Sequence, residues 1–261
     1  NCYACCTGIE ESPCIHYDNE YACSFSDATY FAGYTCDQIG TDSDGTCGVV
    51  SDYSLQFDGG DDYVQLPMEN YSMSSSGTMS VWVKFNSVSF SDGHTGIYSV
   101  GIPNSGEVIS MLGIHTGTGN ENLRFGIFNS TWNWVDSGIA LSADIWYNVA
   151  SSWGSEGLKI YVNGELKNTS NYTGSMSDHS DYKQFVGTGG TSSSFINGNI
   201  NGLFIWDIAL DATQIHSYMT IPPTGSEQGL VGYWNFNQSV IDQTENGNDG
   251  TIYGNPTWVE N

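Results

Sequence analysis

Cysteine is absent from this 261-residue chain after position 47; all seven, Cys2, Cys5, Cys6, Cys14, Cys23, Cys36 and Cys47, lie in the first 47 residues. A segment of 47 residues buries too little surface to hold itself by core packing, so disulfides are expected there, while the longer remainder folds on burial alone. An odd count leaves one sulfur as a thiol, bound to something, or joined to another chain. Basic residues are almost as scarce: Lys84, Arg124, Lys159, Lys167 and Lys183 stand against 29 acidic residues, a net charge of −24. That balance repels phosphate backbones and anionic membrane surfaces, which excludes nucleic acid as a partner and favours calcium or other cations. Only 13% of residues are charged, so the chain is no acidic disordered tail. No apolar run reaches the roughly 18 residues of a membrane helix. The chain opens on Asn1-Cys2 without an apolar leader, and we read it as a mature, secreted or cell-surface protein.

Two parts follow: a disulfide-rich segment over 1–47 and a larger domain over 48–261. In the latter, period-two patterns dominate. Met79, Val81, Val83 and Phe85 alternate with Ser80, Trp82 and Lys84, and Leu158, Ile160 and Val162 alternate with Lys159 and Tyr161. Similar runs lie at 54–58, 62–66, 95–102, 107–115, 123–128, 146–153, 200–208 and 230–236. Asp-Gly and Asn-Gly pairs between them, such as Asn163-Gly164, suit tight hairpin turns. One helix is expected over 212–219, capped by Asp211 with Gln214 completing a capping box and ended by Pro222 and Pro223. The stretch 174–199, rich in Ser, Gly and Asp, reads as long loops.

FDGGDDYVQL at 57–66, TMSVWVKF at 78–85, WYNVASSW at 146–153, GLKIYVNGE at 157–165, INGNINGLFIWDIALDATQI at 196–215 and LVGYWNFNQSVIDQTENGNDGTIYG at 230–254 together resemble the laminin G-like jelly roll of the concanavalin A-like lectin superfamily. The resemblance covers roughly 50–261 and implies an all-β, two-sheet antiparallel sandwich with one short helix. It also implies an extracellular, usually noncatalytic, often calcium-binding recognition module. The first 47 residues match no such pattern.

Asp58, Asp61 and Asp62 place three carboxylates within five residues, with two glycines that let the backbone turn, a supply of oxygens that calcium requires. On a strand Asp61 and Asp62 point to opposite faces, so one of them is the expected ligand, joined by Asp58 or a loop carbonyl. The resemblance implies a further ligand from the strand before the helix, where this chain has Asn201. Asp42-Ser43-Asp44-Gly45 imitates part of an EF-hand, but the register puts Gly40 where the first aspartate belongs and Ser51 where the glutamate belongs, so it reads as a turn.

Trp132 and Trp134 share one face of a strand and with Asn133 form a candidate glycan platform; packing or self-association is the competing reading. A single C-x-x-C at Cys2 and Cys5 argues against structural zinc and for disulfides, with adjacent Cys5 and Cys6 bonding in different directions. Sequons at Asn70, Asn129, Asn168, Asn171 and Asn237 are candidate glycosylation sites. No Glu-x-Asp-x-Glu string, G-x-S-x-G elbow, H-E-x-x-H or phosphate loop occurs, and the five histidines are dispersed. The expectation is therefore a noncatalytic adhesion or lectin-like module that recognises glycan or a surface protein. The alternative is a self-assembling subunit of a filament, layer or matrix, polymerised through the N-terminal segment. A glycan-cleaving enzyme comes third, and needs carboxylates converging from separate strands.

Overall fold

The computed structural model describes residues 14–17, 20–23, 53–67, 75–88, 94–101, 108–115, 122–175, 182–190 and 194–261. Contacts divide the chain into two units, Asn1–Asp52 with Glu260–Asn261, and Tyr53–Val259. The described part of the first is an antiparallel hairpin of β1 (Cys14–Tyr17) and β2 (Glu20–Cys23), in which Cys14 stands opposite Cys23. Cys2, Cys5, Cys6, Cys36, Cys47, the Asp42–Gly45 turn and Asn70 lie outside the described residues.

The second unit is an antiparallel sandwich. Its strands are β3 (Tyr53–Asp58), β4 (Tyr63–Leu66), β5 (Gly77–Phe85), β6 (His94–Gly101), β7 (Val108–His115), β8 (Asn122–Asn129), β9 (Thr131–Ala140) and β10 (Trp146–Trp153). They continue with β11 (Leu158–Val162), β12 (Glu165–Ser170), β13 (Lys183–Val186), β14 (Asn197–Trp206), β15 (Leu230–Trp234), β16 (Thr251–Tyr253) and β17 (Thr257–Glu260). One sheet has eight strands in the order β12-β11-β10-β5-β14-β3-β17, with β15 pairing the far half of β14; the other has seven, β16-β4-β13-β6-β7-β8-β9. The all-β sandwich expected from the alternation is the observed fold.

The core lies between the sheets because one alternate set of most strands is apolar. Met79, Val81, Val83 and Phe85 on β5, Leu158, Ile160 and Val162 on β11, and Leu123, Phe125 and Ile127 on β8 are all buried in it. Tyr161 breaks the expected pattern. It belongs to the outward set, yet it is buried with Ala150, Phe204, Trp206 and Leu230 beneath α1 (Ala212–Thr220), which contributes Ile215. The helix starts where the sequence places it: Asp211 accepts from the Gln214 amide at 2.9 Å, and the Gln214 side chain accepts from the Asp211 amide at 3.0 Å. Asn163 and Gly164 turn β11 into β12 with φ of 52° and 75°.

The strand runs read from the sequence do not include β1, β2, β12, β13, β16 or β17, and two of these show why. β12 is an edge strand with no buried residue, so it shows no apolar alternation. β13 crosses the stretch expected to be loops, and it is only four residues long with a polar Gln184 turned inward, hydrogen-bonded by the Tyr98 hydroxyl.

After β15 the chain winds around Asp242, which is buried. Its Oδ1 accepts from the Tyr233 and Thr244 amides, both at 3.0 Å, and its Oδ2 from the Thr244 hydroxyl at 2.8 Å and the Asn248 amide at 3.0 Å. Trp234 Nε1 donates to the Asn248 carbonyl at 2.9 Å, closing the loop onto the core. Asp242→Ala strands three backbone donors and is expected to cost about 3 to 5 kcal/mol, with Asp242→Asn losing roughly half of that, as read by denaturant unfolding.

Candidate functional site

β8 and β9 form a hairpin turned at Ser130, whose φ is 62°. Since Leu123, Phe125, Ile127 and Val135 face the core, the other set, Arg124, Gly126 and Phe128 on β8 and Trp132, Trp134 and Asp136 on β9, faces outward. The register pairs Arg124 with Asp136, Gly126 with Trp134 and Phe128 with Trp132. The two indoles stack, ring centres 4.5 Å apart and 15° from parallel. Phe128 meets Trp132 edge to face at 5.7 Å, and the Arg124 guanidinium lies 5.0 Å from the centre of the Trp134 ring. Gly126 makes room for this: a Cβ there would come within 2.3 Å of a Trp134 ring carbon. The result is a half-exposed ridge with Phe128 and Trp132 at one end and Arg124 with Asp136 at the other.

Trp132 and Trp134 do share a face, but each covers part of the other. Asn133 does not join them: its amide donates to the Thr131 carbonyl at 3.1 Å and the Ile127 carbonyl at 3.4 Å, on the opposite side of the strand. Arg124, Phe128 and Asp136 complete the ridge in its place. Their signal was the pairing of a glycine strand position with a tryptophan across a hairpin, which needs the register to be read.

Electrostatically the polar end is a near-balanced pair. Burial lowers the pKa of Arg124 and the charge of Asp136 opposes that shift; Arg124 Nε is buried without a hydrogen-bond partner. Asp136 Oδ1 accepts from the Gly138 amide at 2.8 Å and the Asn122 side-chain amide at 3.1 Å. The ion pairs among the described residues, Lys159 with Glu156 and Lys167 with Glu165, both lie on the other sheet. Asn168, one of the sequons, reaches from β12 to donate to the Asp136 carbonyl at 2.8 Å. Asn129, Asn168 and Asn171 are exposed and Asn237 is half-buried.

A second polar site sits where β3 passes to β4. One carboxylate oxygen each from Asp58, Asp61 and Asp62 lies within 4.8 Å of the others. Asp61 and Asp62 do not point apart as expected, because they sit in the turn before β4 rather than on a strand. Asp62 is buried and clamps backbone: its Oδ2 accepts from the Asp58 amide at 3.1 Å and its Oδ1 from the Asn255 amide at 2.7 Å. Asp58 Oδ1 accepts from the Gly60 amide at 2.7 Å. Asn201 is not part of this group; it pairs with Trp82 further along β14, whereas the asparagine opposite Asp58 is Asn197. Asn197 Oδ1 accepts from the Asn86 side chain at 3.0 Å.

The far margin of the seven-stranded sheet carries another aromatic group on the same outer face, Tyr253 stacked on Tyr63 at 4.6 Å and 4°. The register shows the shared face, running from Gln65 through Phe185, Ser99, Met111 and Gly126 to Trp134. Between the margins this face is closed over, with Ser99 Oγ donating to the Thr188 carbonyl at 2.8 Å.

A laminin G family model, described as the concanavalin A-like lectin/glucanases superfamily, matches residues 58–216. The chain belongs to this superfamily. Similar solved structures include a candidate carbohydrate-binding protein from Bacteroides ovatus, 20% identical with a TM-score of 0.63 over 82% of this chain and 61% of that one. The chain thus spans 61% of the length of that protein. The SAP-like pentraxin of Limulus polyphemus is 17% identical, TM-score 0.57, over 81% of this chain and 96% of its own. The CBM40 of a Ruminococcus gnavus sialidase, solved with α2,3-sialyllactose, is 17% identical, TM-score 0.51, over 63% of this chain and 95% of its own. At these identities the likeness is one of fold. No curated protein matches the chain significantly.

Gly126→Ala tests the ridge. The added methyl displaces the Trp134 ring and separates the stacked indoles, so the coupled near-ultraviolet circular dichroism of the pair is expected to collapse, with a stability loss of about 1 to 3 kcal/mol. An unchanged spectrum rejects the stacked arrangement.

Proposed function

We propose that Tyr53–Val259 is a noncatalytic extracellular glycan-binding module whose ligand lies along the ridge from Trp132 to Arg124 and Asp136. The observation that carries this reading is the half-exposed indole pair ending in a hydrogen-bond donor and an acceptor. Sugars have apolar C–H faces and hydroxyl edges, and a ridge with aromatic surface beside Arg124 and Asp136 offers a partner to each. Two proteins of the same fold, the candidate carbohydrate-binding protein of Bacteroides ovatus and the CBM40 solved with α2,3-sialyllactose, support the assignment without fixing the sugar. Cysteine-rich composition and sequons support an extracellular setting. No described helix is long and apolar enough to cross a membrane.

The same reading includes a structural calcium ion at Asp58, Asp61 and Asp62. Three converging carboxylates suit a hard cation, which offsets their mutual repulsion. Asp61 and the second oxygen of Asp58 are the ligands left over from the amide clamps, and Asp62 adds its remaining lone pairs. Bound there, the ion would stiffen the turn joining the two sheets.

Two measurements test this. In titrations against glycan arrays and by calorimetry, Trp132→Ala is expected to weaken binding at least roughly tenfold while the melting midpoint moves by no more than about 2 °C; unchanged affinity overturns the site. Trp132 is the better probe because Trp134 also covers Gly126 and carries Arg124. For calcium, a hundredfold excess over Kd contributes about 2.7 kcal/mol, or roughly 5 to 10 °C of melting midpoint. Asp61→Ala is expected to abolish that rise with little other effect, whereas Asp62→Ala lowers the midpoint with or without calcium. A midpoint indifferent to chelation removes the ion from the account.

A further inference from the structure

We infer that Asp136 makes the ridge selective for neutral glycans over carboxylate- or sulfate-bearing ones, an inference that rests on the glycan reading above. Arg124 alone would suggest the opposite, a cation waiting for an acidic sugar. Its surroundings decide against that. Asp136 stands directly opposite Arg124 in the β8–β9 register, and their charges already interact. Lys167 on neighbouring β12 is held by Glu165. Beyond the site the chain carries −24, a balance that disfavours added negative charge.

Hydrogen bonding points the same way. Both described hydrogen bonds to the Asp136 carboxylate fall on Oδ1. Oδ2 remains to accept from a ligand. A sugar hydroxyl donates and accepts, so one hydroxyl can give its proton to Asp136 Oδ2 while it or its neighbour accepts from Arg124. An ionised carboxylate or sulfate has no proton to donate, so it satisfies Arg124 only by leaving Asp136 repelled and unpaired. The chemistry that fits both groups at once is a pair of adjacent hydroxyls on an uncharged sugar, with its C–H face against the half-exposed aromatic surface of the ridge.

The experiment compares matched ligands that differ by one acidic group, such as lactose-terminated and α2,3-sialyllactose-terminated glycans, on the full chain and on Asp136→Asn. Asparagine keeps an oxygen for the Gly138 amide and removes the charge, so the variant should fold. Wild type is expected to bind the neutral member at least tenfold tighter. Asp136→Asn narrows that ratio at least fivefold, chiefly by gaining affinity for the acidic member, and raising salt narrows the wild-type ratio in the same direction. A wild-type preference for the acidic member, or a ratio unchanged in Asp136→Asn, overturns the selectivity. If either result comes with the loss of binding in Trp132→Ala intact, the glycan site survives and only the role of Asp136 falls. If no glycan binds, or Trp132→Ala binds as wild type does, both readings fall together.

Discussion

Everything in the sandwich depends on strand alternation against a single shared core. Each strand has two faces, and once Val81, Val83, Phe125, Ile127 and their counterparts fill the space between the sheets, a slip of one residue would move a whole apolar set into water. Fixing the inward set also fixes the outward one. The outward positions of β8 and β9 carry no packing duty toward the core, and there the chain places a large aromatic surface and a charge pair. The other sheet shows the same freedom, with Lys84 lying 5.2 Å from the centre of the Trp146 ring. Beneath α1 an outward face becomes a second core, because Tyr161, Phe204 and Trp206 there are too apolar to leave in water.

A chain with so few bases cannot stabilise its carboxylates by ion pairing, and it uses backbone amides instead. Asp62 gathers N–H groups from Asp58 nearby and from Asn255 far along the chain, and Asp242 gathers those of Tyr233, Thr244 and Asn248 within its own loop. Glu227 behaves alike: burial pushes its carboxyl up, but hydrogen bonds from Thr224 and Gly225 outweigh that and hold it lowered. Amide clamps of this kind do not weaken in salt as surface ion pairs do, which suits an acidic surface. They also divide the acids into those already engaged and those, like Asp61 and Asp136 Oδ2, with acceptor capacity to spare.

What could be read from the sequence was local, and what could not was register. The capping box at Asp211 and Gln214, the strand around Met79 and the Asn163-Gly164 turn each announce themselves within a few residues, and each lies where expected. β12 and β13 are specified by neighbours rather than by their own pattern, an edge position in one case and a buried Gln184 partnered by Tyr98 in the other. The same limit governs the sites. Trp132 and Trp134 were visible as a pair because they are two apart on one strand; Arg124 and Phe128 join them only across a hairpin. The family pattern makes Asn201 a neighbour of Asp58, but four residues along β14 separate it from Asn197, which is the register partner. Asp61 and Asp62 escape a strand's alternation because they occupy the turn before β4.

An outer-face ridge also sets how tightly a ligand can be held. Gly126, Arg124 and the stacking itself restrict the rotamers of Trp134, so little side-chain freedom remains to be lost on binding, and the polar end is already oriented by Gly138 and Asn122. Preorganisation favours affinity, but a convex ridge covers one side of a sugar where a cleft covers most of it. Under the proposed function those two effects oppose each other: a single ridge would hold a sugar weakly, and firm attachment to a glycan-coated surface would depend on several ridges engaging together, since effective concentration adds affinity that a single open site cannot supply.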